Sequence, residues 1–146
     1  FTTEGILDTT TTLGGAEAGA FDQAITKTDP AMVMMSLATY QSIDPNNPAV
    51  FSSTIIDGHI RNALKYTGVV ISDSMSAEAL SSYDVSQLGV KLVEAGGDMS
   101  CIGQTDYVKP IVDGLNERAK SDPAFASKVT AAATRVMALK IKMGLA

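Results

Sequence analysis

Apolar positions along this chain fall into two patterns, short and largely continuous runs and stripes spaced three or four residues apart. The runs are Met32-Val33-Met34-Met35, Val69-Val70-Ile71 and the segment from Met99 to Ile102. A short run that is apolar on both faces predicts a strand covered on both sides. The stripes predict helices. Phe21, Ala24 and Ile25 place one over 14–28, stopped by Asp29-Pro30 because the residue before proline avoids the α region. Ile56, Ile60, Ala63 and Leu64 place a second over 53–65, capped by Ser52 or Ser53. Leu88, Leu92 and Val93 place a third over 85–95, closed by Gly96-Gly97. Val108, Ile111, Val112 and Leu115 mark a fourth over 107–120. Asp122 as cap with Pro123 in the first position opens the last helix. Its stripe runs Phe125, Val129, Ala132, Val136, Leu139, Met143, and Gly144 ends it.

Between these elements lie a single helical turn over 77–80 and two stretches without a period. The Thr-rich stretch Phe1 to Leu13 reads as an extended or loop segment, with Asp8 in a solvated turn. Residues 41–51, with Pro45, Asn46, Asn47 and Pro48, form a second loop. Asp44 there reads as a turn residue, with hydroxyl binding as the alternative. The alternation of strand and helix predicts an α/β fold with a parallel sheet. No internal repeat or low-complexity linker divides residues 1–146, so one domain is expected.

Composition narrows the function classes. The 146 residues are 45% hydrophobic and 18% charged, a globular balance. The net charge is −5 and there is no basic run, so the footprint of a nucleic-acid binder is missing. The one cysteine, Cys101, excludes an internal disulfide and the usual zinc clusters, and reads as a buried, inert thiol. No apolar stretch approaches the ~20 residues that span a bilayer. No phosphate loop, Ser-His-Asp triad or metal cluster is found, and no cofactor is implied. Asp98 at a strand's start reads as structural. His59 falls off its helix's apolar stripe and reads as a surface histidine, while Asp57 and Arg61, four apart, are placed to pair on the exposed face.

The candidate chemistry sits in Gly68-Val69-Val70-Ile71-Ser72-Asp73-Ser74-Met75. The strand ends where polarity returns, and in α/β folds the carboxyl ends of strands border the cleft where chemistry is done. Asp73 is then either a rigidly held catalytic carboxylate or a capping residue of the next turn, since Asp and Ser are ordinary turn residues.

The segment FSSTIIDGHIRNALKYTGVVISDSM resembles the stretch around the catalytic aspartate of glycoside hydrolase family 3, in its β-N-acetylglucosaminidase-like branch. MVMMSLATYQSIDPNNPAVFS is similar to that family's preceding strand and Asp-x-x-x-Pro-Ala loop, LVEAGGDMSCIG to its following strand, and RVMALKIKMGLA to the helix closing its catalytic domain. The likeness runs from about Phe21 to Ala146. It implies a (β/α)8 barrel of which this chain is the C-terminal part, about three βα units, because a whole barrel takes ~250 residues. It implies that Asp73 is the nucleophile of a retaining glycosidase, with Ser72 and Met75 touching the sugar, an amino-sugar β-glycoside. An upstream segment or second chain is expected to complete the barrel and to bring the acid/base histidine, whose Lys-His-Phe-Pro-Gly-His-Gly loop is absent here. Relatives acting on cell-wall amino sugars imply an exported or cell-surface protein. Leu37 stands where many members carry a histidine, and Ser74 where many carry an acidic or small residue. A barrel without catalysis, serving carbohydrate binding or scaffolding, is the alternative; self-assembling half-barrels are a third.

Overall fold

The chain's structure, a computed structural model, describes residues 5–146. The expectation of a loop over the first four residues lies outside them. Three parallel strands make the main sheet, in the order β2 (Met32–Met35), β4 (Val69–Ser74) and β5 (Met99–Cys101). These are the three apolar runs: β2 matches its run, β4 continues three residues beyond Ile71, and β5 stops one residue short of Ile102. β2 pairs in register with β4, Met32 opposite Val69 through Met35 opposite Ser72. A second, two-stranded parallel pair is not announced by the sequence: β1 (Leu7–Asp8), within a stretch expected to be extended or loop, lies beside β3 (Thr39–Tyr40). Two residues carry no alternation, so no pattern could announce them. Asp8 nonetheless makes the expected turn, accepting the backbone N–H groups of Thr10 and Thr11 at 2.9 and 2.7 Å.

The helices α1 (Ala16–Thr28), α2 (Val85–Ala95), α3 (Val108–Ser121) and α4 (Pro123–Lys142) follow the stripes closely. Their ends obey local chemistry. Asp122 accepts from the N–H groups of Ala124 and Phe125 at 2.9 and 3.1 Å, with proline at the first position. Gly96 ends α2 at φ 103°, a conformation in which an L side chain is strained. Helix α3 crosses α2 so closely that a Cβ on Gly114 would lie 1.9 Å from the Ser86 carbonyl oxygen.

One sheet face is covered by this layer. Val33, Met35 and Val70 pack there with Ile25, Ile56, Leu88 and Leu92 in a single core. The opposite face carries Met32, Met34 and, in register, Ile71 and Met99. Met34 is 61% exposed. Several expected inward positions are also open: Phe21 is 72% exposed, and Val108, Val112 and Met143 are exposed too. A stripe identifies the apolar side of a helix, and what covers it must come from elsewhere in space.

The expected helix over 53–65 is a π-helix, Thr54–Ala63. Its N–H groups reach back five residues, Gly58 to Ser53 and Leu64 to His59, each at 2.9 Å. The Ser52 hydroxyl accepts from Ile55 N–H at 3.2 Å, the cap expected of one of the two serines. Wider winding changes which side chains align. Ile55, Ile56 and Ile60 are buried and Ala63 is exposed. The expected Asp57–Arg61 pair is not made, because residues four apart no longer stack. Asp57 instead meets Lys128 on α4 at 3.2 Å, and Arg61 turns inward. His59 is not on the surface either. It is partly buried, with Nε2 2.8 Å from Asp22 Oδ1, and ties the π-helix to α1.

Candidate active site

β4 is anchored at one end and carries the candidate carboxylate, Asp73, at the other. Asp98, just before β5, has a fully buried side chain. Its Oδ2 accepts from Arg61 Nη2 and, at 2.8 Å, from the Val70 N–H; its Oδ1 accepts from Arg135 Nε at 2.8 Å. Arg61 also donates to the carbonyls of Tyr66, Gly68 and Gly96. Burial pulls the Arg61 guanidinium below its ordinary pKa, against the upward pull of the Asp98 charge. Its Nε is buried without a hydrogen-bond partner. An unpaired buried donor costs about 1–3 kcal/mol, against which stand the bonds that Arg61 makes through its other two nitrogens. The structural reading of Asp98 therefore holds.

At the carboxyl end, Ile71 pairs with Met99 but Ser74 pairs with Cys101. Ser72 and Asp73 together oppose the single residue Ser100, which makes a β-bulge. Bulges bend a strand and re-aim its side chains, and they concentrate beside active sites. Here the bulge presents Asp73. Its side chain is exposed on the uncovered face, and Oδ1 accepts from the Ser74 N–H at 2.7 Å. Oδ2 has no hydrogen-bond partner among the described residues. One carboxylate oxygen is thus held by a backbone amide and the other is not.

Ser72 and Met75, expected to touch the sugar, offer it no surface in this segment, because their side chains turn into the interior. Both are 0% exposed. The Ser72 hydroxyl accepts from the Cys101 N–H at 2.9 Å, and Met75 fills the core while its own N–H donates to the Cys101 carbonyl at 2.8 Å. Cys101 is a free, half-buried thiol on β5. Leu37 is half-buried against the core. Asp44 is the turn residue expected: it accepts from the Ser52 hydroxyl at 2.7 Å and from the Asn46 N–H and Asn47 side chain. Burial raises its pKa, and these hydrogen bonds outweigh that and leave it lowered.

Sequence reasoning missed the groups that join the two strand ends. Ser76 Oγ lies 3.1 Å from Ser74 Oγ and accepts from the Gly103 N–H at 3.2 Å. A Ser-x-Ser directly after the aspartate was the available signal. A cleft of about 410 Å³ lies between α1, β2 and the π-helix, walled by Phe21, Ile25, Met34, Ile55 and His59. Asp73 is not part of it. The wall of the cleft is largely apolar, with Asp8, Glu17, Asp22 and His59 among its lining residues, and it borders the unpaired edge of β2. Among the described residues no three His, Cys, Asp or Glu side chains are grouped to hold a metal ion, and no helix is long and apolar enough to cross a membrane.

Residues 6–139 match the family model described as the Glycosyl hydrolase family 3 N terminal domain. The chain belongs to that family. Its β2–β4–β5 sheet and covering helices are the C-terminal part of a family 3 (β/α)8 barrel. A solved β-N-acetylhexosaminidase from Beutenbergia cavernae is 34% identical, with a TM-score of 0.85 over 93% of this chain and 40% of that one. A family 3 β-N-acetylglucosaminidase from a Paenibacillus species is 26% identical, with a TM-score of 0.84 over 96% of this chain and 27% of that one. A curated protein from Arthroderma benhamiae, described as an uncharacterized secreted glycosyl hydrolase, is 36% identical over 69 residues, 47% of this chain and 20% of the relative. The chain thus spans less than half the length of each.

Proposed function

We propose that this chain supplies the nucleophile of a retaining, exo-acting β-N-acetylglucosaminidase-like glycosidase, and that the nucleophile is Asp73. The bulge carries this reading: it sets an exposed carboxylate at the carboxyl end of a buried parallel strand, with one oxygen tethered and one free. The free oxygen attacks the anomeric carbon of the amino sugar. The glycosidic bond breaks, and its oxygen leaves with a proton from an acid/base group outside this chain. Water then cleaves the resulting glycosyl ester and returns Asp73 to its ionised form. Ser72 and Met75 support the sugar-facing floor from beneath in this reading. The strands that complete the barrel come from a further segment pairing with the open edge of β2, and the chain alone is inactive. The secreted Arthroderma relative supports export.

The test is cleavage of a chromogenic N-acetyl-β-glucosaminide by the full-length polypeptide and its Asp73→Asn variant. Asn keeps the size and removes the charge, so turnover is expected to fall by about three orders of magnitude or more with folding unchanged. Equal cleavage by both would make Asp73 structural. One observation favours a second reading, a barrel that binds carbohydrate without cleaving it: Leu37, where many members carry histidine, is apolar and packed on the core. No cleavage of any β-glycoside by the full-length protein would select it.

A further inference from the structure

The bulge that presents Asp73 also takes it out of the regular ladder, so its direction must be set by something other than strand pairing. The tether is the Ser74 N–H, 2.7 Å from Oδ1. The orientation of that amide depends on the turn that follows; two bonds hold the turn to the end of β5 and a third braces it internally. Met75 N–H donates to the Cys101 carbonyl at 2.8 Å. Ser76 Oγ accepts from the Gly103 N–H at 3.2 Å and shares a hydrogen bond with Ser74 Oγ at 3.1 Å. The two hydroxyls lie against bare backbone: a Cβ on Gly103 would fall 2.9 Å from Ser76 Oγ and 3.2 Å from Ser74 Oγ.

We propose that Ser76 is a positioning residue for Asp73, acting through Ser74, and that Gly103 is bare because its backbone N–H must reach the Ser76 hydroxyl. The inference rests on Asp73 being the nucleophile. Ser76 touches neither sugar nor reacting atoms. It fixes the Ser74 side chain, hence the turn, hence the amide that holds one oxygen of the attacking carboxylate. Misplacing a reacting group by about 1 Å costs on the order of 10²-fold in rate. An effect of this kind appears in the chemical step and leaves substrate affinity alone.

The experiment measures kcat, KM and thermal midpoint of the full-length polypeptide as wild type, Ser76→Ala, Ser76→Thr, Gly103→Ala and Asp73→Asn, with the same chromogenic substrate. The expected result for Ser76→Ala is a kcat loss of about 10- to 100-fold, with KM within about threefold and an unchanged midpoint. Ser76→Thr keeps the hydroxyl and should recover most of the rate. Gly103→Ala should reproduce the kcat loss by displacing the hydroxyl pair. The proposal is overturned if Ser76→Ala keeps kcat within about threefold of wild type while Asp73→Asn is inactive. It is equally overturned if Ser76→Thr loses as much rate as Ser76→Ala. Should Ser76→Ala fail to fold, Ser76→Thr and Gly103→Ala decide between these outcomes. An active Asp73→Asn variant would instead remove the reading on which the inference stands.

Discussion

Replacing Asp98 with Asn probes what holds β4 in place. The carboxylate is fully buried and takes three donors, from Arg61, Arg135 and the Val70 N–H. Asn keeps the volume but offers one acceptor and a pair of donors. If its oxygen serves Arg61 and Val70, its NH₂ group confronts Arg135 Nε–H; if it is flipped, two donors are orphaned instead of one. Breaking one side of a buried pair costs about 3–5 kcal/mol, because the surviving charge is left without compensation. Arg61 is only 12% exposed, so water replaces little there, whereas Arg135 at 30% regains some hydration. The lower end, about 3 kcal/mol, is therefore expected. For a domain of this size that corresponds to a fall of roughly 10 °C in thermal midpoint. The control is Asp113→Asn, which breaks the Lys109–Asp113 pair, 83% and 59% exposed. Exposed pairs are worth about 0.2–1 kcal/mol, so its midpoint should move by no more than 2–3 °C. Melting of the full-length polypeptide followed by circular dichroism compares the two. An Asp98→Asn midpoint indistinguishable from that of Asp113→Asn would refute the claim that this network anchors the sheet.

Two further outcomes follow from buried contacts. Gly114→Ala places a methyl 1.9 Å from the Ser86 carbonyl oxygen, a backbone atom that moves only with its helix, and should cost roughly 2 kcal/mol as α2 and α3 separate; a denaturant midpoint equal to wild type would show that the helices yield freely. Asp44 has a lowered folded-state pKa, so its hydrogen bonds contribute stability above the ordinary carboxylate value of 3.8, and that contribution is lost as pH falls through the lowered value. Thermal midpoints measured downward from pH 6 should fall more steeply for wild type than for Asp44→Asn, and identical slopes would contradict the assignment.

Much of this architecture was legible because its signals are local. Asp122-Pro123 opens α4 and Gly96 closes α2 through groups no more than a few residues away. The three mainly apolar runs became the three barrel strands, because a strand that packs against a covering helix layer must carry apolar side chains on that face. The misses share a different cause. Nothing within Thr54–Ala63 distinguishes a five-residue hydrogen-bond reach from a four-residue one. That choice is tied to distant partners, Asp22 for His59 and Asp98 for Arg61, so a histidine expected on the surface and a pair expected on one helix were both misplaced. At the site, Asp73 was legible as the polar end of an apolar strand. Its bulge was not, since a bulge is a relation between β4 and β5. Ser76 and Gly103 stand 27 residues apart and meet only because the two strands end side by side.

The Asp98 anchor and Asp73 lie at opposite ends of one strand. Val70, which receives the anchor, is three residues from Asp73, about 10 Å of extended chain. The two ends are therefore secured by separate sets of bonds. Asp98 ties the amino end of β4 to the π-helix and α4, while the turn after Asp73 is tied to β5 through Met75 and Ser76, so a change in one set leaves the other's partners in place.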